Sequence, residues 1–211
     1  MKNALKLLGC IVISCMAAAC SGGSQTASRS GNMTLELLPN YVDASEEYLK
    51  GAGDRDTNGL KSLMFIKRNE SPTSCIFREA SYTPEDKQFN ATTAEISAGF
   101  AQAFSDALIK NPGLIAPGAK ATTTQVIVSA KASISDYDAW LSGLRFGIKQ
   151  SKLVQYFLDS YTLAMQVPGN TDKRKKFLIV ECRLMGYPAQ MNVEANEVMN
   201  IMGTIRLSGG K

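Results

Sequence analysis

The chain has 211 residues, of which 45% are hydrophobic, and it carries 23 lysines and arginines against 19 aspartates and glutamates with no histidine. The lack of histidine excludes Ser-His-Asp and Cys-His catalysis and the usual zinc and copper sites. A net charge of only +4 argues against a nucleic-acid binder, which needs a clustered cationic face. The length suits one domain with a substantial core.

The first nineteen residues have the organisation of a secretory signal. Lys2 and Lys6 form a basic start, and thirteen uncharged residues follow from Leu7 to Ala19. This apolar stretch is shorter than the roughly 20 residues of a permanent membrane-spanning helix. Residues 21–31 consist of Ser, Gly, Gln, Thr, Ala and one Arg, a composition that predicts a flexible linker.

Cys20 stands at the junction between the apolar stretch and this linker. It follows Ala17 to Ala19, and the pattern resembles the lipobox of bacterial lipoproteins, in which the cysteine after small residues is acylated. Cys15 is the alternative, although cleavage there leaves a shorter apolar stretch and no polar spacer. Cys10 leaves no usable apolar stretch, so we interpret it as a small hydrophobic residue of the signal.

This resemblance implies three segments and a location. Residues 1–19 are a signal peptide, residues 20–32 are the acylated cysteine with its linker, and residues 33–211 are a single domain. The palmitate-bearing chain is then anchored in the cell envelope and faces the periplasm. Ser21 and Gly22 lack the aspartate associated with inner-membrane retention in enteric bacteria, which favours the outer membrane. Removal of Lys2 and Lys6 leaves a nearly neutral protein, with 21 basic against 19 acidic residues.

The sequence of the first half of the domain predicts short strands followed by a helix. Alternating apolar residues predict strands at 33–37, 60–67 and 75–82. Thr92 and Glu95 form a capping box, so we expect a helix to begin there, with an apolar face that includes Ile96, Phe100 and Leu108. Asn111, Pro112 and Gly113 end it.

The sequence of the second half predicts an antiparallel meander with a terminal helix. Val126 to Ile134 alternate, which predicts one buried and one wet face, and Trp140 to Ile148 repeat the pattern. In residues 153–167 the apolar parity shifts near Asp159, as a β-bulge would produce, and a short helix in the first half of this segment is the alternative. A strand at 177–185, a helix from about Val193 and an extended tail at 204–207 complete the domain.

The order of these elements resembles the PsbP/Mog1-like family, in which an antiparallel sheet packs between helices. The likeness is closest in Phe177 to Leu207, where "FLIVECRLMG" precedes "ANEVMNIMGTIRL". It spans most of residues 33–207 and rests on order and pattern without a diagnostic motif. The resemblance implies an α+β fold in a single domain, and the family includes small bacterial lipoproteins.

Two polar stretches are candidates for binding. "DRDTNG" places Asp54, Asp56 and Asn58 at the first ligand positions of an EF-hand loop, but Phe65 occupies the twelfth position, so a polar turn is the better interpretation and we expect no metal. "DKRKK" at 172–176 places four cations before the last long strand. It is either a solvated hairpin tip or a docking patch for an acidic partner or anionic headgroups. Its cations are Lys173, Arg174, Lys175 and Lys176.

Cys75 and Cys182 are the only thiols within the predicted domain. Both fall on predicted strands, in a compartment that the signal makes oxidising. A bridge between them and two separate buried thiols are both open, because nothing in the sequence shows that the two strands are neighbours.

Without a catalytic constellation or cofactor motif, we expect a non-enzymatic protein that uses no cofactor and no nucleic acid. The first hypothesis is a lipid-anchored binding module that recognises another envelope protein. The alternatives are an accessory or structural subunit of an envelope secretion or transport assembly, and a carrier of a small apolar ligand.

Overall fold

A computed structural model describes residues 26–30, 32–52, 60–115, 117–134, 137–151 and 155–208. Within these ranges the helices are α1 (Ser45–Ala52), α2 (Thr93–Lys110) and α3 (Pro188–Gly203), with short 3-10 turns at Lys87–Asn90 and Pro112–Leu114. The strands are β1 (Thr26–Ser30), β2 (Met33–Leu37), β3 (Tyr41–Asp43), β4 (Leu60–Arg68), β5 (Ser74–Tyr82), β6 (Lys120–Ile134), β7 (Tyr137–Lys149), β8 (Gln155–Gln166), β9 (Lys175–Gly186) and β10 (Arg206–Leu207).

The described strands form two antiparallel sheets. Seven strands lie in the order β3-β4-β5-β9-β8-β7-β6, and β1, β2 and β10 form a small sheet in the order β1-β2-β10. Strands β6 to β9 are the predicted meander, and β5 inserts beside β9 from the other half of the chain. The predicted α+β class, with an antiparallel sheet packed between helices, is confirmed.

Helices cover both faces of the large sheet. On one face Ile96 of α2 packs with Ala164 and Ile179, and Leu108 packs with Phe146. On the other face the α3 side chains join the strands in the largest core cluster, whose helical members include Met191, Val198, Ile201 and Met202. α2 begins at the predicted capping box: Glu95 N donates to Thr92 Oγ1 at 3.2 Å, and Thr92 N donates to the Glu95 carboxylate at 2.8 Å.

The predicted bulge in the β8 segment is wrong. β8 pairs with β7 and with β9 in one uninterrupted register. Its two sets of apolar residues instead mark two buried faces, since Leu158 and Ala164 pack beneath α2 while Leu163 and Met165 pack beneath α3. A central strand between two helix layers needs apolar side chains of both parities. The alternative of a helix in this segment is wrong as well for residues 155–166.

The edge strand β6 departs from its predicted alternation. Its register against β7 shifts twice, between Ala121 and Thr123 and between Val126 and Val128. The second shift turns the side chain of Val126 outward, so that it is 65% exposed instead of buried as predicted. Gly143 faces this bulge on β7, where an added Cβ would lie 2.5 Å from Val128 Cγ1. Glycine is therefore required at this close approach of two strands.

Two boundaries of the predicted domain change. The linker prediction is wrong for Thr26–Ser30, which pairs with β2 along its whole length, so the folded part begins before residue 33. Ser28 is buried, and its hydroxyl donates to the Asp43 carboxylate. The last helix starts at Pro188 and not near Val193. Proline suits the first helical position, because an N–H group there would have no partner within the helix.

The two ends of the large sheet carry different connections of the chain. At one end β8 connects to β9 through residues 167–174. At the other end the β4–β5 turn lies beside the start of β3, where Asn69 N donates to Asn40 O and Tyr41 pairs with Arg68. Thr26, the first residue of β1, pairs with Leu37, which lies shortly before the start of β3. The start of β1 is therefore at the end of the domain opposite to the β8–β9 connection.

Candidate functional site

The predicted cationic stretch lies at the tip of the β8–β9 hairpin. We call residues 168–176 the basic hairpin. Gly169 has a φ of +83°, a conformation that favours glycine, and it turns the chain after Pro168. Thr171 and Arg174 exchange two backbone hydrogen bonds of 2.9 and 3.2 Å. The Asn170 side chain accepts from Lys176 N at 2.8 Å. Hydrogen bonds therefore hold the tip in one conformation.

The structure separates the four predicted cations into two pairs. Lys176 Nζ lies 2.8 Å from a Glu79 carboxylate oxygen on β5, and Lys175 Nζ lies 4.7 Å from the centre of the Phe89 ring. These two contacts bind the base of the hairpin to its neighbours. Lys173 and Arg174 are exposed at the tip. Only the second pair presents its charge outward to a partner.

Cys75 and Cys182 lie directly opposite each other on the neighbouring strands β5 and β9. A disulfide joins them, with their Cα atoms 4.0 Å apart, and both residues are at most 2% exposed. The link ties the N-terminal strand group to the meander across the centre of the sheet. Its position in the core makes it a structural bridge, since no reductant reaches it without opening the sheet.

Other predicted sites lie outside the described residues. Cys20, Cys15 and the first nineteen residues precede Thr26, and Asp54, Asp56 and Asn58 fall in the undescribed residues 53–59. Where the structure does describe the chain, no three acidic or cysteine side chains are grouped to hold a metal ion. Nor does any helix in the described ranges combine the length and apolar composition needed to cross a bilayer.

Sequence reasoning missed a second cationic cluster. Arg78 on β5 and Arg183 on β9 both face the carboxylate of Glu181, which is 7% exposed. Arg78 is next to Glu79, and Arg183 lies two residues after Glu181, so no run of cations marks the cluster in the sequence. Only the pairing of β5 with β9 brings the two arginines together, and that pairing spans more than a hundred residues.

No protein-family model and no curated protein sequence matches the chain. Several solved structures do match it. The Ran-binding protein Mog1p of Saccharomyces cerevisiae is 8% identical, with a TM-score of 0.50 over 87% of this chain and 95% of its own. The cyanobacterial PsbP of Synechocystis is 9% identical, with a TM-score of 0.45 over 90% of this chain and 98% of its own. LpqN of Mycobacterium tuberculosis, which is involved in cell envelope biogenesis, is 10% identical, with a TM-score of 0.48 over 88% and 91%.

The likeness to Mog1p confirms the PsbP/Mog1-like fold that the order of elements predicted. At 8% identity the comparison establishes the fold and leaves the function to be argued from this chain's own residues.

Proposed function

We propose that the chain is a non-catalytic lipoprotein of the bacterial envelope, anchored through Cys20, that binds an acidic surface of another envelope protein through the basic hairpin. The observation that carries the proposal is the pair Lys173 and Arg174, exposed on a turn whose backbone is fixed by hydrogen bonds. A preorganised turn loses little conformational entropy when a partner binds.

Three further observations support this proposal. The N-terminal sequence resembles a lipoprotein signal, which explains how the domain would meet a partner at a membrane. The chain contains no histidine and no recognisable catalytic motif. The fold is shared with Mog1p, a Ran-binding protein, so a domain of this architecture serves protein recognition elsewhere.

Charge complementarity at an exposed rim acts mainly on the rate of association. Lys173 and Arg174 would therefore speed the encounter with an acidic partner, and screening by salt would reduce this effect. An accessory role in an assembly would use the same surface but leave the partner bound at a fixed stoichiometry.

The experiment is crosslinked affinity purification of the intact protein from its native membrane. The test variant carries Lys173→Glu and Arg174→Glu, which keep the two contacts of Lys175 and Lys176. The control carries Lys120→Glu and Lys149→Glu, two exposed lysines that pair at the opposite end of β6 and β7. We expect the hairpin variant to lose a specific crosslinked protein at low salt and the control to keep it. Identical crosslinks in both variants would mean that the hairpin is only a solvated tip.

A further inference from the structure

The cluster of Arg78, Glu181 and Arg183 lies on the sheet face that α2 covers, beside the helix. Arg78 of β5 pairs with Ile179 of β9. Glu181 and Arg183 have the same parity as Ile179, so all three charged side chains share one face of the two neighbouring strands. Ile179 has the same parity and packs with Ile96 of α2, which identifies that face. The cluster is separate from the basic hairpin, since Arg183 is near the opposite end of β9.

The cluster carries more positive than negative charge. Glu181 accepts a hydrogen bond from Arg78, and its other oxygen lies 3.6 Å from Arg183 Nη2. Two guanidinium groups thus face one carboxylate, which leaves a net charge of +1 in a half-buried place. An uncompensated charge in such surroundings is costly unless an anion joins it.

Arg183 is the member with unused hydrogen-bonding capacity. Its Nε is buried, and among the described residues it has no hydrogen-bond partner. The side chain as a whole is 43% exposed, so part of it is open to solvent. Burial is the main cause that lowers the pKa of Arg183, and the charge of Arg78 adds to it while Glu181 opposes it.

Aromatic side chains fix the orientation of this arginine. Its Cζ lies 4.0 Å from the centre of the Phe104 ring of α2, and Phe104 is itself held edge-on against Phe146 at 5.8 Å. A stacked guanidinium keeps the N–H groups at its edge free for a planar, bidentate acceptor. A second aromatic pair, Tyr48 and Phe65, stacks at 4.4 Å, with Tyr48 close enough to influence Arg183 electrostatically.

We infer that Arg183, supported by Arg78 and stacked on Phe104, is a binding site for a carboxylate. The net charge of +1 matches a monoanion better than a doubly charged phosphate, and the planar fork matches the two carboxylate oxygens. The carboxylate belongs either to a small organic acid or to the C-terminus of a peptide. This site is independent of the proposed function, because it uses none of the hairpin residues.

The test follows the Arg183 Nε–H resonance of the ¹⁵N-labelled full chain in detergent micelles at constant ionic strength. The probes are sodium acetate, sodium benzoate, inorganic phosphate, and one short peptide with a free or an amidated C-terminus. We expect acetate and benzoate to move the resonance saturably, with benzoate binding more tightly because of the aromatic walls. A stronger response to the free peptide than to benzoate assigns the site to a peptide terminus, and the reverse order assigns it to a free acid.

Substitutions separate the fork from simple charge attraction. Arg183→Gln should weaken benzoate binding, measured by calorimetry, about tenfold, the factor that corresponds to about 1.4 kcal/mol. Arg183→Lys keeps the charge but loses the fork, so it should weaken binding almost as much. Lys120→Gln removes one positive charge from the exposed start of the edge strand β6 and should leave binding unchanged, and thermal unfolding checks that each variant is folded.

Three results would overturn the inference. The first is the absence of any saturable shift with the carboxylate probes. The second is tighter binding of phosphate than of every carboxylate. The third is equal benzoate affinity in the wild type and in a folded Arg183→Gln variant.

Discussion

Cys75 and Cys182 face each other across β5 and β9 at a Cα–Cα distance of 4.0 Å, although 107 residues separate them in the sequence. The disulfide therefore joins the two halves of the domain at the place where their strands meet. It also cross-links a long loop of the unfolded chain.

Loss of this bridge should destabilise the domain strongly. The chain-entropy model assigns about 4.7 kcal/mol to a closed loop of roughly 100 residues. We expect Cys75→Ser with Cys182→Ser to lower the free energy of unfolding by an amount of that order, measured by urea denaturation. Reduction of the wild type should reproduce the loss. In the denatured, unreduced protein, alkylation of either the Cys75 or the Cys182 peptide in mass spectrometry would rule the bridge out.

Arg145 compensates a buried carboxylate. Its Nε and Nη2 each lie 2.7 Å from an oxygen of Asp159, whose side chain is 1% exposed. Arg145→Met leaves that charge unpaired, so we expect a loss of about 3–5 kcal/mol in urea unfolding.

Two further variants test this interpretation. Arg145→Met combined with Asp159→Leu should recover most of the loss, because no buried charge remains. Lys131→Met removes a surface ion pair in which Lys131 is 72% and Asp138 is 52% exposed. This control should lower the free energy of unfolding by less than about 1 kcal/mol. A double variant as unstable as Arg145→Met would contradict the account.

Glu197 should make the domain sensitive to acid. Burial acts to raise its pKa, but hydrogen bonds from Arg68 at 2.8 Å and Asn40 at 3.1 Å, with the charge of Arg68, outweigh burial and lower it. A carboxyl whose pKa is lower in the folded state stabilises above its unfolded value, about 4.3, and loses that contribution as the pH falls through the folded value.

Glu197→Gln should therefore reduce stability at pH 7 by about 1.5–3 kcal/mol, the usual worth of hydrogen bonds to a charged group. The difference from wild type should shrink as the pH falls below 4, as followed by urea unfolding at several pH values. Glu85→Gln, an exposed control in the turn after β5, should leave both the stability and its pH dependence unchanged. A constant difference at all pH values would show that the contribution is not one of charge.

The anchor is tested at the two candidate cysteines. Cys20→Ala should abolish palmitate incorporation and membrane fractionation, while Cys15→Ala should leave both intact. Intact-mass measurement of the mature protein identifies the first residue directly. A mature chain that begins with acylated Cys15 would replace the assignment.

Local patterns predicted the elements well wherever one face of an element is buried. The capping box at Thr92 set the start of α2, and alternation located β2, where Met33, Leu35 and Leu37 are at most 3% exposed while Glu36 between them is exposed. The same reasoning failed for β8, because two helix layers bury both of its faces. It also failed for β1, whose sequence TASRS has no apolar signal and which depends on pairing with β2.

The candidate sites show the same division between local and distant information. The cations of the hairpin are contiguous, so their position could be predicted. Their separation into two exposed and two engaged side chains could not, because Glu79 and Phe89 are far away in the sequence. The opposition of Cys75 to Cys182 and the cluster around Glu181 both follow from the insertion of β5 beside β9, which is a property of the topology alone.

The pairing of β1 sets a limit on distance in the envelope. With Cys20 as the proposed anchor, only residues 21–25 separate the lipid from Thr26, a span of at most about 20 Å when fully extended. β9 has 12 residues, a length of about 40 Å, and the basic hairpin lies at the far end of the sheet. With this proposed anchor, the two lengths add to roughly 60 Å between the lipid and the base of the hairpin when the linker is fully extended. Under the proposed function, the acidic surface of the partner lies near that depth or closer to the bilayer, as in a protein embedded in the same membrane or lying close beside it.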